Sequence, residues 1–277
     1  MELDRILLID KPQGWTSFDV VAKIRGSMQN KYNLALRDTP ELCGCEECKA
    51  EVKRRASLTS VRRASTGTSN AAITHQTTGN DQIHSDYPRR RHKIRVGHTG
   101  TLDPMATGLL VIVTGKNTKM VSEMIKHDKT YEVELTLGSI SDTGDAEGKL
   151  TNLNKLVPDA LAVDEAVLSF VGEIMQTPPA YSAIKINGKR AYQLAREGKE
   201  VRLEPRKVNI YSILDIKYEY PVVSFVAEVS SGTYIRSLVQ DIGQMLGTGA
   251  YMSGLRRTKV GEYDIDDATE PESLELA

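Results

Sequence analysis

The sequence predicts an α+β fold, with a mixed and largely antiparallel sheet and flanking helices. Segments with the pattern of strands outnumber those with the pattern of helices, and the two kinds do not alternate as they do in a parallel βαβ fold. With 277 residues and 40% hydrophobic content, the chain is long enough to bury a substantial core.

The N-terminal segment predicts a strand, a turn and a helix. Residues Arg5 to Asp10 form a short apolar run, and Lys11-Pro-Gln-Gly14 has the proline and glycine of a turn. Ser17 is a candidate N-cap for a helix that ends near Arg25 or slightly later.

Residues 27–92 have the composition of a disordered, basic insertion. They are rich in Ser, Thr, Asn, Arg and Gln, lack sustained apolar periodicity, and carry eleven Lys/Arg against seven Asp/Glu. We expect little fixed structure from about Gly26 to His92. The alternative is an arm that contacts RNA phosphates through its basic clusters at 53–55, 62–63 and 89–91.

All three cysteines lie in this insertion, in Cys43-Gly-Cys45-Glu-Glu-Cys48, and they indicate no disulfide framework. The spacing is compatible with zinc, but a closed site needs a fourth ligand, and His75, His84 and His92 stand at no diagnostic spacing. Reduced thiols in a loop are the favoured interpretation, and we predict no metal.

Strand and helix patterns resume after the insertion. Gly108 to Thr114 is an unbroken apolar run typical of a strand buried on both faces, and Lys129 to Leu137 alternates as a strand with one buried face. A helix is expected between them. The later patterns predict helices at 164–171, 191–196 and 234–246, a turn at Asn187-Gly188, and strands at 208–216 and 222–229.

The net charge of -1 conceals an uneven distribution. Glu262 to Ala277 carries seven acids and no base, and residues 264–277 are interpreted as a short acidic tail. The overall balance argues against indiscriminate nucleic-acid binding, so such binding has to be argued from individual sites. No apolar run approaches the roughly 20 residues that span a bilayer, and the first residues lack a secretory leader's pattern, so a cytoplasmic location is expected.

The segment most suggestive of chemistry is the loop Gly97–Gly108, which reads GHTGTLDPMATG. Its glycines permit close approach of a ligand, and Pro104 restricts the backbone of Asp103 to an extended conformation. The loop therefore holds one acid in a defined place before a buried strand. From the residues alone, a tight turn with Asp103 as a local cap is an equal alternative.

This loop resembles the catalytic motif of tRNA pseudouridine-55 synthases of the TruB type. Other segments resemble further motifs of that family in the same order, namely Leu8–Gly14 with Thr16-Ser17, Lys129–Val133, Ser141–Asp145, Pro178–Lys185, Ser231–Arg236, and Leu255–Thr258 with Val260-Gly261. The resemblance covers roughly residues 5–26 and 93–263. It implies one catalytic domain of the pseudouridine synthase fold over residues 1–263, interrupted by the insertion, with RNA bound in the central cleft.

The resemblance also implies a role for individual residues, each of which has a plain structural alternative in the core or at the surface. Asp103 would be the nucleophile, Arg236 would pair with it and keep it ionised, and Tyr131 would stack on the target base and handle a proton. His98 matches the residue that fills the stack vacated by a flipped base. The other substrate-binding positions implied are Tyr234, Leu255, Asp142 and Lys185, with Arg190, Arg256 and Arg257 as weaker phosphate contacts.

The implied reaction is the isomerisation of uridine to pseudouridine at T-loop position 55 of tRNA, by a monomer without metal or organic cofactor. The nucleophile attacks either the sugar or the base. Two alternatives are kept, a pseudouridine synthase acting on another RNA and a noncatalytic tRNA-binding or folding protein. The insertion of about 65 residues departs from the family, as does the short segment after Tyr263, too short for the RNA-binding PUA domain of many relatives. We expect the insertion to be dispensable for chemistry and tRNA binding to be weaker.

Overall fold

The computed structural model describes residues 3–38, 50, 53–54, 93–153, 157–186 and 188–274. Most of the insertion, including its cysteines, lies outside these ranges, as do the predictions made for it about zinc and an RNA-contacting arm and most of the segment predicted to be disordered. The chain divides into two compact units, residues 25–94 in one and residues 2–24 with 95–275 in the other. In the described part of the chain, no helix has the length and apolar character needed to cross a membrane.

The second unit contains the strands. In chain order they are β1 (Ile6–Lys11), β2 (Val96–His98), β3 (Thr107–Thr114), β4 (Lys129–Leu137), β5 (Ser139–Ser141), β6 (Leu150–Asn152), β7 (Gly172–Gln176), β8 (Lys185–Ile186), β9 (Lys189–Arg190), β10 (Arg206–Glu219), β11 (Val222–Val229), β12 (Ala250–Val260) and β13 (Tyr263–Asp264). The helices are α1 (Ser17–Asp38), α2 (Val121–Met124), α3 (Ala160–Leu168), α4 (Ala191–Arg196) and α5 (Ile235–Met245), with 3-10 turns at Gly115–Met120 and Ile265–Asp267.

Nine of the described strands form one sheet. Its order is β1-β3-β12-β4-β11-β10-β7, with β2 added to β3 and β13 added to β12. Every pair is antiparallel except β3 and β12, which are parallel. The predicted mixed, largely antiparallel sheet is thereby confirmed.

Apolar periodicity explains which faces are buried. Helix α5 presents Ile235, Leu238, Val239 and Ile242 at helical spacing to the main core, which also contains alternate residues of β4. Strand β3 is buried on both sides, as its unbroken apolar run predicts. Each such side chain stabilises the fold by roughly 1.5–3 kcal/mol relative to an exposed position.

Strand β12 lies between β3 and β4 and was not predicted from the sequence. Its sequence, AYMSGLRRTKV, places polar and charged residues where a buried strand normally shows apolar ones. Arg257 is nevertheless only 1% exposed. Its charged residues are the reason why the apolar pattern did not predict β12 as a central strand.

Helix α1 continues to Asp38 and does not end near Arg25, so the expectation of little fixed structure from about Gly26 is wrong for residues 26–38. Within the first unit, the Gln29 side chain accepts a hydrogen bond from Ile94 N (3.2 Å) and donates one to Asn33 Oδ1 (3.1 Å). The C-terminal part of α1 is thus hydrogen-bonded to Ile94, which follows the insertion in the chain. The local sequence of the helix does not indicate this partner.

Helix α3 begins earlier than predicted, at Ala160, because the Asp159 carboxylate accepts a hydrogen bond from Ala162 N (2.8 Å) and caps the helix there. The expected helix after β3 is a 3-10 turn followed by the short α2.

The described part of the acidic C-terminal segment is not a free tail. Thr269 N donates to Leu8 O (3.0 Å) and Thr269 O accepts from Asp10 N (3.0 Å), so this segment covers the outer edge of β1. Ile265 packs against the core cluster around Leu109. Backbone pairing and apolar contact therefore hold a segment whose charge suggested solvent exposure.

Candidate active site

The backbone before Asp103 is held by the start of α1. Ser17 Oγ accepts a hydrogen bond from Leu102 N (2.8 Å) and donates one to Leu102 O (3.1 Å). Ser17 was predicted to cap α1, but the cap is Thr16, whose hydroxyl accepts from Asp19 N (3.1 Å) while the Asp19 carboxylate accepts from Thr16 N (2.8 Å). This reciprocal cap leaves Ser17 available to the loop.

The backbone after Asp103 is held by the first turn of the chain. Pro104 O accepts hydrogen bonds from Gly14 N (2.8 Å) and from Lys11 Nζ (3.2 Å). Lys11 is fully buried and also donates to Pro12 O and Trp15 O. Lys11 and Gly14 thus hold the loop in place through Pro104, a role for Lys11 that the sequence did not indicate.

Arg236, in the first turn of α5, grips the carboxylate of Asp103. Its Nε lies 3.0 Å from Asp103 Oδ2 and its Nη2 3.4 Å from Oδ1, while Nη1 and Nη2 also donate to Thr143 O (3.0 Å) and Tyr181 O (2.8 Å). The Arg236 side chain is 6% exposed and that of Asp103 is 34% exposed. A buried, fully engaged guanidinium therefore presents a carboxylate that solvent or a ligand still reaches.

Asp145 is the second carboxylate beside Arg236, with Oδ2 at 3.5 Å from Nη1. Its other oxygen accepts hydrogen bonds from Thr143 Oγ1 (2.6 Å) and Glu147 N (3.1 Å). Asp145 belongs to the Ser141–Asp145 motif, but the sequence indicated no role for it. Its signal was a second aspartate in the Ser-Asp-Thr-Gly-Asp segment, which looked like turn chemistry.

Burial and the neighbouring charges make Asp103 less acidic than an ordinary aspartate. Burial raises the pKa of Asp103, while Arg236 lowers it, Asp145 raises it and Lys11 lowers it. Arg236 thus only partly offsets the effect of burial. Burial lowers the pKa of Lys11 to about 8, although the charge of Asp103 opposes this.

Tyr131 and Leu255 line the core next to the loop. Tyr131 on β4 is 7% exposed and belongs to the same cluster as Leu102 and Met105, which flank Asp103 along the chain. Leu255 on β12 packs against that cluster and is partly buried. The two residues thus lie on adjacent central strands of the sheet.

Tyr234 precedes α5 as its N-cap residue and is partly buried. Gln176 holds its backbone from both sides, since the amide oxygen accepts from Tyr234 N (2.8 Å) and the amide nitrogen donates to Tyr234 O (3.1 Å). Gln176 thus fixes the backbone at the same end of α5 that carries Arg236.

His98 ends β2 and is half-buried at the entrance to the loop. Its Nδ1 accepts a hydrogen bond from Gly100 N (3.3 Å), so this nitrogen is unprotonated. Burial, together with the positive charge of Arg257, lowers the pKa of His98. Both effects favour the neutral imidazole.

Arg257 is a structural residue, and the interpretation of it as a phosphate contact is wrong. Its Nε donates to Leu109 O (2.8 Å) and its Nη2 to Gly100 O (3.1 Å), so it joins β3 to the start of the loop. Its burial leaves no surface for RNA.

Of the four other implied contacts, three are exposed and Arg256 is partly buried. Asp142 is exposed, and its carboxylate accepts from Lys149 N (2.7 Å), which closes the β5–β6 turn. Lys185 is exposed on β8, opposite Arg190 on β9. Arg256 forms a two-pronged pair with Asp10 (3.1 and 2.7 Å). Such pairing reduces its availability to phosphate.

The arrangement is suited to nucleophilic catalysis by a carboxylate. Asp103 is fixed at its backbone on both sides and at both oxygens, and it remains partly accessible. Among the residues that the structure describes, no cluster of His, Cys, Asp and Glu side chains has an arrangement that would hold a metal ion.

Comparison with known proteins identifies the family of this chain. Residues 89–235 match the model of the TruB family pseudouridylate synthase N-terminal domain, and residues 236–277 match that of the tRNA pseudouridylate synthase B C-terminal domain. The tRNA pseudouridine synthase B of Clostridium kluyveri is 37% identical over 273 residues, which cover 99% of this chain and 73% of that protein. The protein of the same name from Chlorobaculum tepidum is 36% identical over 95% of this chain and 85% of its own length.

Other similarities extend over shorter parts of the matched proteins. The tRNA pseudouridine synthase B of Clostridium acetobutylicum is 48% identical over 170 residues, but the match spans 61% of this chain and 59% of that protein. Among solved structures, a chain of a Cbf5-Nop10-Gar1 complex has a TM-score of 0.55 and 25% identity, and the match covers 94% of this chain and 49% of that one. With a family model over more than half of its length and relatives aligned almost end to end, this chain belongs to the TruB family of pseudouridylate synthases.

Proposed function

We propose that this protein isomerises uridine to pseudouridine at the T-loop uridine, position 55, of tRNA, with Asp103 as the nucleophile. The observation that carries the proposal is the partly accessible Asp103 carboxylate held by the buried Arg236 fork. Membership of the TruB family supports the reaction class, and the printed names of its relatives support tRNA as the substrate.

The reaction is balanced without any co-reactant. The Asp103 carboxylate bonds to the nucleoside, either at the sugar or at the base, and the bond between N1 of the base and the sugar breaks. The base turns and rejoins the sugar through C5, which loses a proton, while N1 gains one. The bond to Asp103 then breaks, so the product has the same atoms as the substrate.

Neighbouring residues supply position and charge. Arg236 holds both carboxylate oxygens in one orientation, which supports a near-attack geometry. Tyr131 offers its ring to the base and its hydroxyl to a proton transfer. The target base has to leave its stack to reach Asp103, and His98 at the loop entrance is the side chain proposed to fill the vacated space.

Substrate binding involves a smaller set of residues than the sequence implied. Tyr234 and Leu255 are the proposed pocket contacts, and exposed Lys185 is a proposed phosphate contact. Asp142 contributes through the turn that it closes. Because Asp103, Tyr131 and Arg236 all come from one chain, the proposal requires only a monomer.

The test is pseudouridine formation on an unmodified tRNA transcript, mapped to the nucleotide, with wild type and Asp103→Asn side by side. We expect product at the T-loop uridine with wild type and none with Asp103→Asn, which keeps the shape of the side chain. Asp266→Asn is a matched control, because Asp266 is exposed in the C-terminal segment. Wild-type binding without product would support the noncatalytic alternative, and product elsewhere would support another RNA target.

A further inference from the structure

Two polar residues on neighbouring strands contact different parts of Tyr234, one its backbone and the other its ring. Gln176 ends β7 and Arg206 begins β10, and the two are direct cross-strand partners. Gln176 is fully buried and bonds the backbone of Tyr234 at both N and O. One turn along α5, Ser237 Oγ donates to Thr177 O (2.8 Å), so the end of β7 holds the whole start of the helix.

Arg206 contacts the ring of Tyr234 and the turn before it. Its guanidinium carbon lies 4.9 Å from the ring centroid, and its Nη2 donates to Gly232 O. Among the described residues, Arg206 Nε is buried without a hydrogen-bond partner and no carboxylate pairs with the guanidinium. The cation thus contacts an aromatic ring and a carbonyl at the start of β10.

The backbone contacts of Tyr234 do not fix the orientation of its side chain. Gln176 fixes its N and O, but rotation about the side-chain bonds is limited only by what touches the ring. Arg206 is the charged group over that ring. Removing it would let the ring sample other orientations without unfolding the helix start.

We propose that Arg206 is a positioning residue for the isomerisation, because it fixes the orientation of the Tyr234 ring against the flipped nucleotide. The inference rests on the proposed function, which places Tyr234 in the substrate pocket. A small misplacement of a substrate-contacting group costs rate when it shifts the reacting atoms out of line. Arg206 should therefore affect the rate of the chemical step more than RNA affinity.

The opposing possibility is that Arg206 contacts an RNA phosphate directly. Loss of a phosphate contact would lower RNA affinity about uniformly across sequences and would reduce the dependence of log K on log salt by about one unit. A positioning role leaves that slope unchanged. The two roles therefore differ in a measurement that does not depend on rate.

The experiment is a double-mutant cycle on the single-turnover rate constant at saturating tRNA transcript, with RNA dissociation constants measured at several salt concentrations. The variants are Arg206→Gln alone and in combination with Tyr234→Phe, which keeps the ring, or Tyr234→Leu, which removes it. Lys207→Gln is the matched control, because it removes one charge from the next residue of β10, whose partner is Glu173 (2.8 Å) at the surface.

We expect Arg206→Gln to lower the rate constant about fivefold to thirtyfold, the range of a partly desolvated cation–π contact, with affinity within about twofold of wild type. The effect should persist with Tyr234→Phe and fall to about twofold or less with Tyr234→Leu. Lys207→Gln should match wild type. Arg206→Lys, which keeps a cation near the ring, should lose less rate than Arg206→Gln, and this comparison decides the matter if Arg206→Gln lowers the urea midpoint.

Equal rate losses in the Tyr234→Leu and wild-type backgrounds would overturn the positioning role. A loss confined to affinity, with a smaller salt slope, would assign Arg206 to phosphate instead. If wild type forms no pseudouridine on any RNA, the proposed function itself fails. An active wild type with an additive cycle refutes only the inference about Arg206.

Discussion

Replacing Arg236 by lysine tests whether geometry at the nucleophile matters beyond charge. The guanidinium donates to both oxygens of Asp103 and to the carbonyls of Thr143 and Tyr181. An ammonium at one point keeps the charge but cannot reach all four acceptors. Each lost bond from a charged donor is worth about 1.5–3 kcal/mol when its partner stays buried.

We expect Arg236→Lys to lower the single-turnover rate constant by about 10²- to 10³-fold, which corresponds to roughly 3–4 kcal/mol of transition-state free energy. RNA affinity should change by less than about threefold, because the Arg236 side chain is 6% exposed and the charge is kept. The free energy of unfolding should fall as well, by about 1.5–3 kcal/mol for each carbonyl left without its donor.

The assay pairs single-turnover pseudouridine formation at saturating RNA with equilibrium binding and urea unfolding. Arg202→Lys is the control, since Arg202 is an exposed arginine that pairs only with exposed Glu200 in the described part of the chain. A rate within about threefold of wild type in a folded Arg236→Lys variant would refute the argument that a two-pronged grip is needed. A loss that appears wholly in affinity would show that Arg236 acts on RNA and not on Asp103.

Three further predictions concern the same loop and the lysines near it. Gly108→Ala should destabilise the fold by roughly 2–4 kcal/mol in urea unfolding, because Gly108 has φ +99° and an added Cβ would lie 2.3 Å from Arg257 O; a loss below about 1 kcal/mol would contradict this. The single-turnover rate should fall with decreasing pH through the raised pKa of Asp103, since the proposed nucleophile acts ionised, and Lys11→Met should move this fall to higher pH because the charge of Lys11 lowers that pKa; an unchanged pH profile would count against this effect of Lys11. Lys11 and Lys129 have pKa values of about 8 in the folded chain, against an ordinary value of 10.5, so the unfolded chain binds more protons between about pH 8 and 10.5. The free energy of unfolding should therefore rise with pH over this range, and the rise should be less steep in Lys129→Met. An equally steep rise in that variant would exclude Lys129 as a source of the pH dependence.

Regular apolar patterns made much of the architecture predictable. Strand β3 has an unbroken apolar run and strand β4 alternates over its whole length, so their bounds and burial agree closely with expectation. Helix α5 carries its apolar residues at helical spacing. These signals are local, because the buried face of a strand or helix is written in residues that lie two to four positions apart.

Ion pairs and buried charges were not predictable in the same way. Arg236 meets Asp103 across 133 residues of chain, and Arg257 meets Leu109 across 148. Both arginines resembled surface residues, and the family resemblance alone suggested a role for Arg236. Asp145 was overlooked because its segment has the composition of a turn.

The sequence by itself determined the fold class, the main strands and helices, and the loop that carries Asp103, because each depends on local periodicity or on an ordered set of short motifs. Only the tertiary structure decided that β12 is a central strand and that Arg257 braces the loop. It also decided that Asp145 joins the Arg236–Asp103 pair and that Lys11 supports Pro104. The physical reason is that a charged side chain is buried only where distant parts of the chain supply its hydrogen-bond partners, and no local pattern records those partners.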